Sequence, residues 1–147
     1  MRFLITGGAG FIGSHLAEAL LKRAYQVCIL DDLSTGSLRN LAHLAPYPEY
    51  RFVLGGVSKP RLLAELVDYA DVVVHLAAAV GTRLILERPR RSVETNVNTG
   101  ALVLKTASRR KKPVFIASTS EVYGKNASVP FREDADLVLG PTTSARC

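Results

Sequence analysis

Short apolar runs alternate with amphipathic stretches along most of this chain. The apolar runs predict five buried strands, Arg2–Thr6, Gln26–Leu30, Tyr50–Leu54, Asp71–Leu76 and Pro113–Ala117. Helical spacing of apolar residues predicts helices over Phe11–Arg23, Ser37–Leu44, Pro60–Val67 and Ser92–Ser108. Strands that alternate with helices form right-handed βαβ units around a parallel sheet. The pattern therefore predicts an α/β fold, a Rossmann-like doubly wound parallel sheet truncated after about five strands.

Two further features of the pattern concern coverage of the sheet and the end of the chain. The second, fourth and fifth apolar runs are almost unbroken, which predicts a sheet covered by helices on both faces. After Gly124 the periodicity fades into a segment with Pro130, Gly140 and Pro141. We therefore expect a folded domain over residues 1–124 and a loop-rich tail over residues 125–147.

Composition narrows the class of protein. The 147 residues suffice for one domain, and 48% hydrophobic with 22% charged residues is unlike a disordered chain. No apolar run approaches the roughly 20 residues of a membrane-spanning helix. The two cysteines, Cys28 and Cys147, are far apart and lack metal-ligand spacing. We expect a soluble, cytoplasmic domain with no metal site and no membrane partner.

The net charge of +6 arises from one region. The segment Arg83–Lys112 holds nine basic residues against Glu87 and Glu94, so it contributes +7 and the rest of the chain sums to −1. Such a segment is either a phosphate or nucleic-acid patch or a solvated helix face with cations near its C-terminus. We favour the solvated face and expect no nucleic-acid partner.

Three glycines lie where the first strand passes into the first helix. In a dinucleotide site, Gly7 would permit the tight turn, Gly10 would let the backbone approach a pyrophosphate, and Gly13 would let the helix pack on the sheet. The backbone N–H groups around Phe11 and Ile12 would then point at the anion, assisted by the helix dipole. A glycine triplet alone is weak evidence, so the context matters.

An acid at the end of the second strand supplies that context. Asp31 follows Gly7 by 24 residues, near the offset of the ribose-binding carboxylate in dinucleotide folds. A carboxylate there accepts hydrogen bonds from a ribose diol and repels a 2′-phosphate, which favours NAD over NADP. The alternative is a glycine-rich turn followed by a chance aspartate, and Asp32 on that interpretation only begins the next turn.

Five motifs together carry a family resemblance. They are TGGAGFIGSHL at 6–16, LDDLSTG at 30–36, HLAA at 75–78, ETNV at 94–97 and STSEVYG at 118–124. The chain resembles the extended short-chain dehydrogenase/reductases, and more narrowly the NAD-dependent nucleotide-sugar epimerase/dehydratase group that includes UDP-glucose 4-epimerase. The motifs occur in family order and the resemblance runs from Met1 to the end of the chain.

The resemblance implies a set of cofactor-binding residues. Those around the pyrophosphate would be Gly7, Gly10, Phe11, Ile12 and Gly13. Those lining the adenosine ribose would be Asp31, Asp32, Ser34, Thr35 and Gly36. Leu76, Ala77 and Ala78 would lie beside the cofactor, and Asn96 near its nicotinamide end. Many relatives have an aspartate after the third strand, where this chain has Gly55-Gly56-Val57, so we expect Val57 to lie against an adenine that lacks that acceptor.

The resemblance also implies catalytic residues. The hydroxyl of Thr119 would hydrogen-bond the reacting oxygen of a sugar substrate. Glu121 is typical of relatives that eliminate water or carbon dioxide after sugar oxidation, although it could equally serve only to order the turn before Tyr123.

The catalytic base of the family is a tyrosine followed four residues later by a lysine. None of the 5 tyrosines here has that lysine. We therefore expect an N-terminal part of a nucleotide-sugar enzyme, acting on a UDP-hexose when complete and inactive alone. The alternative is a stand-alone, non-enzymatic NAD(H)-binding module. Relatives often dimerise through the long helix and the tyrosine-bearing helix. The second of these is missing here, so the long helix would either form a homodimer in another way or leave its apolar face exposed.

Overall fold

Five strands form one parallel sheet at the centre of the structure, a computed structural model that describes residues 1–79 and 89–141. The strands are β1 (Arg2–Thr6), β2 (Gln26–Asp31), β3 (Tyr50–Leu54), β4 (Val72–His75) and β5 (Val114–Ile116). The helices are α1 (Phe11–Leu21), α2 (Pro60–Tyr69) and α3 (Pro89–Arg109), with 3₁₀ helices at Leu38–Leu44 and Ser120–Tyr123. The strand order β3-β2-β1-β4-β5 confirms the predicted Rossmann-like doubly wound sheet.

Alternate residues of the strands supply two separate cores, one on each face of the sheet. On one face, Leu4 and Val73 pack with residues of α2 and α3. On the other face, Ile5 and Val74 pack with α1 and the first 3₁₀ helix. This alternation follows from the two-residue period of a strand. Helices therefore cover both faces of the central strands, and the loops at their carboxyl ends remain accessible.

The fifth strand departs from the predicted coverage. Phe115 is 60% exposed and Ile116 is 40% exposed, so the expectation that this apolar run is buried on both faces is wrong for the described residues. The reason is position, because among the described strands β5 is an edge strand that pairs with β4 alone. The chain divides into two compact units after this strand, Met1–Ile116 and Ala117–Cys147.

Helix ends differ from the predicted ones by a few residues. The helix α1 ends at Leu21 instead of Arg23, because the N–H groups of Arg23 and Ala24 bond three residues back and tighten the last turn. The helix α3 begins at Pro89 instead of Ser92, and proline suits the first turn of a helix.

The basic segment is partly balanced by acidic neighbours. Arg90 is paired with Glu94 at 2.8 Å, and Arg110 is paired with Asp68. Arg83, Arg88 and Cys147 lie outside the described residues.

Among the helices that the structure describes, none combines the length and apolar character needed to cross a membrane.

Candidate functional site

The glycine turn joins β1 to α1 in a conformation that needs glycine at two points. Gly7 has φ +73°, and a Cβ there would lie 2.6 Å from the backbone nitrogen of Ala77. A Cβ on Gly13 would lie 2.6 Å from the carbonyl oxygen of Gly7. Gly10 is different, since its Cβ position meets only the Gly7 oxygen, at 3.3 Å. A side chain at Gly7 or Gly13 would therefore collide with the protein backbone, whereas there is free space beside Gly10.

The helix α1 begins directly after this open glycine. Gly10 is its N-cap residue, and no side chain caps it. The first-turn residues Phe11 and Ile12 are 77% and 68% exposed. The first backbone N–H groups of a helix have no intrahelical acceptor, and the helix dipole favours an anion there. The predicted pyrophosphate-binding residues are thus together at one accessible helix end, which fits a dinucleotide phosphate.

Asp31 ends β2 beside the glycine turn, as the sequence predicts. Its side chain is buried, with Oδ2 accepting from the N–H of Ala9 at 2.9 Å and Oδ1 accepting from the N–H of Leu33 at 2.8 Å. An ionised carboxylate offers about four lone-pair sites, so acceptor capacity remains for two hydroxyl groups. The two backbone donors fix the carboxylate in orientation, which suits a group that recognises a ribose diol.

Sequence reasoning missed the residues that hold the carbonyl of Ala9. That oxygen accepts from the N–H of Ser37 at 3.1 Å and from the Asn40 side chain at 2.8 Å. Gly36 makes this approach feasible, because a Cβ there would lie 2.9 Å from the Cβ of Ala9. Both polar groups of the Ala9 backbone are therefore bound, the N–H by the last residue of β2 and the carbonyl by the segment that follows β2. The one local signal was the serine N-cap of the 3₁₀ helix.

Asp32 lies in the loop that follows β2, close to the loop that follows β3. Its Oδ1 accepts from the N–H of Ser34 at 3.0 Å, and hydrogen bonding by the Ser34 side chain is the main cause that lowers the pKa of this carboxyl. Ser34 and Thr35 are exposed at this edge, as a ribose-lining role requires. Val57 is only 7% exposed and packs in the core, so little of its side chain is available to a ligand.

A buried polar pair links the carboxyl ends of β1 and β4. The Thr6 hydroxyl lies 2.6 Å from Nδ1 of His75, and the N–H of Leu76 donates to the Thr6 carbonyl at 3.0 Å. Burial lowers the pKa of His75, which favours its neutral form. The pair sets the separation between the glycine turn and the predicted cofactor-flanking residues Leu76, Ala77 and Ala78.

Two residues of α3 bind the backbone of Ala79. The Asn96 amide accepts from the Ala79 N–H at 2.6 Å and donates to the Ala79 carbonyl at 3.2 Å. The Ser92 hydroxyl donates to the same carbonyl at 2.9 Å. The predicted contact of Asn96 with a cofactor stays a prediction, and the structure adds that Asn96 orders the segment after β4. Its spacing of four residues from Ser92 on one helix was the available signal.

The predicted catalytic residues Thr119 and Glu121 belong to the second unit. Thr119 is the N-cap of the 3₁₀ helix Ser120–Tyr123, and its Oγ1 accepts from the N–H of Glu121 at 3.3 Å. Both residues are exposed, and the Tyr123 ring stacks on Phe131 with centroids 4.7 Å apart. The Thr119 hydroxyl can still donate its hydrogen, because a hydroxyl both accepts and donates hydrogen bonds.

Among the described residues, no group of three or more His, Cys, Asp or Glu is placed to hold a metal.

Comparison with protein families gives one match over almost the whole chain. The profile described as GDP-mannose 4,6 dehydratase matches residues 4–142. A UDP-N-acetyl-alpha-D-glucosaminuronate decarboxylase of Bacillus cytotoxicus is 42% identical over 145 residues, which make up 99% of this chain and 44% of that protein. The chain therefore spans less than half the length of this relative.

Solved structures give the same result at the level of the fold. A dTDP-glucose 4,6-dehydratase of Streptomyces venezuelae, with NAD and TYD bound, is 37% identical with a TM-score of 0.86 over 95% of this chain and 46% of that chain. A UDP-glucose 4-epimerase of Brucella ovis in complex with NAD is 28% identical with a TM-score of 0.82, over 94% of this chain and 42% of that chain. Both similar structures contain NAD.

Proposed function

Because the chain belongs to the GDP-mannose 4,6-dehydratase family of NAD-dependent nucleotide-sugar enzymes, we propose that it is the NAD(H)-binding portion of such an enzyme. The observation that carries the proposal is the convergence of the glycine turn, the open end of α1 and the Asp31 carboxylate at one edge of the sheet. NAD would supply the hydride acceptor for oxidation at the sugar C4 position.

Each part of the site has a task in holding the dinucleotide. The N–H groups of Phe11 and Ile12 bind the pyrophosphate, which the open face at Gly10 lets approach. Asp31 accepts from both hydroxyls of the adenosine ribose, and its negative charge disfavours the 2′-phosphate of NADP. Leu76, Ala77 and Ala78 leave room for the cofactor beside β4, because two of the three side chains are methyl groups.

The proposed contacts with the sugar come from two residues of the second unit, Thr119 and Glu121. Thr119 donates a hydrogen bond to the reacting oxygen of the sugar, and Glu121 takes part in the step after oxidation. An acidic residue at that point favours elimination or decarboxylation over simple epimerisation. The 42% identity to a nucleotide-sugar decarboxylase supports the same preference. The substrate class we propose is a UDP-hexose or its uronic acid.

The chain by itself binds the cofactor and does not oxidise a sugar. No tyrosine in its sequence has a lysine four residues later, so the usual base and the cation that lowers its pKa are missing. Turnover of a nucleotide sugar by this chain would contradict the proposal.

An exposed apolar stripe on α3 supports a homodimer. Val93 and Val97 are each 62% exposed. Leu104 lies about two helical turns further along the same face and is 49% exposed. Residues at these spacings share one side of a helix. We propose that this stripe packs against a second copy, and sedimentation equilibrium of the chain over a range of concentrations tests it.

Isothermal titration calorimetry with NAD⁺ and NADP⁺ tests the cofactor assignment. We expect NAD⁺ to bind, NADP⁺ to bind more weakly, and Asp31→Ala to weaken NAD⁺ binding. Lys22→Ala, at the C-cap of α1 and away from its N-terminal end, is the control and should bind as the unchanged chain does. A folded sample that takes up neither dinucleotide would overturn the proposal.

A further inference from the structure

We propose that Asp32 makes the adenine site selective for a 6-amino purine, in place of the aspartate that many relatives carry after the third strand. The inference rests on the proposed NAD(H)-binding function and adds a specificity-determining residue to it. It concerns the base at the far end of the dinucleotide, where residue 56 is glycine and offers no side chain.

The topology brings Asp32 and Gly56 to the same edge of the sheet. Asp31 pairs with Leu54 in the register of β2 and β3, and the N–H of Gly55 donates to the Asp31 carbonyl at 2.9 Å. Both strands therefore end together. A base attached to a ribose at Asp31 meets the loop after β3, because β3 is the next strand on the side away from β1.

Distances at Gly56 identify the side chains around the missing carboxylate. A Cβ built on Gly56 would lie 3.7 Å from Oδ2 of Asp32 and 3.4 Å from Oγ of Ser58. These are ordinary contact distances, so the two oxygens border the space that an aspartate side chain at residue 56 would enter. Gly55 offers no such space, since its Cβ position is 2.6 Å from a methyl group of Leu62.

The two oxygens differ in what they recognise. An ionised carboxylate only accepts hydrogen bonds, so Asp32 favours the 6-amino group of adenine and repels the 6-oxo group of hypoxanthine. A hydroxyl both donates and accepts, so Ser58 would tolerate either base. Asp32 is held in its charged form by the hydrogen bonds from Ser34, which lower its pKa. The selectivity of the site therefore reports which oxygen contacts the base.

The experiment compares NAD⁺ with nicotinamide hypoxanthine dinucleotide, in which an oxygen replaces the purine 6-amino group and N1 carries a hydrogen. Calorimetry of the full chain should give NAD⁺ an affinity about tenfold higher, as expected for one hydrogen bond to a charged acceptor. In Asp32→Asn the ratio should fall close to one, because the amide offers both a donor and an acceptor. If Asp32→Asn does not fold, Asp32→Ala serves instead, and its affinity ratio should also fall close to one because the carboxylate is removed. The control Ser58→Ala should keep the tenfold preference.

A double variant adds a rescue. In Asp32→Asn combined with Gly56→Asp, a carboxylate returns to the same space from the other loop, and the preference for NAD⁺ should return. Equal binding of the two dinucleotides by the unchanged chain overturns the inference and leaves the proposed function intact. Loss of preference in Ser58→Ala, with retention in Asp32→Asn, overturns it in favour of the serine. Failure of both dinucleotides to bind overturns the proposed function and this inference with it.

Discussion

Replacing Gly7 with alanine, beside the same replacement at Gly100, measures how much the turn after β1 depends on glycine. Gly7 has a left-handed backbone, and its Cβ position lies 2.6 Å from the nitrogen and 2.7 Å from the Cα of Ala77. Backbone atoms cannot rotate away as a flexible side chain does, so β1 and the segment after β4 would have to separate. Gly100 lies in α3, and no heavy atom of the described residues lies within 4 Å of its Cβ position.

The two substitutions should change stability in opposite directions. For Gly7→Ala, a left-handed alanine costs about 1–2 kcal/mol, and forcing atoms into a packed region costs a further 1–3 kcal/mol or so. We therefore expect the free energy of unfolding to fall by about 2–5 kcal/mol. For Gly100→Ala, the higher helix propensity of alanine should raise it by about 0.5–1 kcal/mol.

Thermal denaturation followed by circular dichroism is a suitable assay. For a chain of this size, Gly7→Ala should lower Tm by roughly 5–15 °C and Gly100→Ala should raise it by roughly 2–4 °C. Equal Tm values for Gly7→Ala and the unchanged chain would refute the reasoning, since they would mean that the turn accepts a side chain against Ala77. Gly100 is three residues after Val97 and four before Leu104, so it lies on the side of α3 that carries the apolar stripe. A decrease for Gly100→Ala would show that its surroundings are not open, as contact with a second copy through this stripe would make them.

Two other predictions concern polar side chains beside the glycine turn. Burial lowers the pKa of His75 below the value of about 6.5 expected in the unfolded chain, so the unfolded state takes up the proton first and stability falls with pH below about 6.5. Urea midpoints compared at about pH 7.5 and about pH 5.5 should show this loss, which His75→Asn should reduce; an unchanged loss would contradict the assignment. Asn40→Ala removes the donor to the Ala9 carbonyl, and NAD⁺ affinity should fall about fivefold, for a hydrogen bond of about 1 kcal/mol. The exposed Asn98→Ala is its control, and equal dissociation constants for the two variants would count against a role for Asn40.

The strands and the glycine turn could be predicted because their signals are local. The limits of β1 and β3 were predicted as the structure has them, since each apolar run ends at a glycine, Gly7 after β1 and Gly55 after β3. Gly7 and Asp31 are separated by one βαβ step, so their relation has a fixed offset in sequence. The edge position of β5 has no local signature in the sequence. An apolar run has the same pattern whether helices cover one face of the strand or both.

Contacts between distant parts of the chain account for what the sequence did not reveal. Thr6 and His75 are 69 positions apart, and Asn40 and Ala9 are 31 positions apart. No periodicity connects such pairs, because each depends on where the sheet brings two loops together. Asp32 was predicted only as a ribose-lining residue for the same reason. Its proximity to Gly56 follows from the common end of β2 and β3, which register alone determines.

The hydrogen bonds on the Ala9 backbone bear on how long a ligand stays bound. Asp31 binds its N–H, while Ser37 and Asn40 bind its carbonyl, so this part of the turn is immobilised during folding. A dinucleotide that arrives there loses its own freedom but imposes little ordering on the chain. We expect its association rate to change little among variants of the surrounding residues, so that weaker binding arises mainly from faster dissociation. The rigidity of one alanine thus determines the residence time of the ligand more than its rate of arrival.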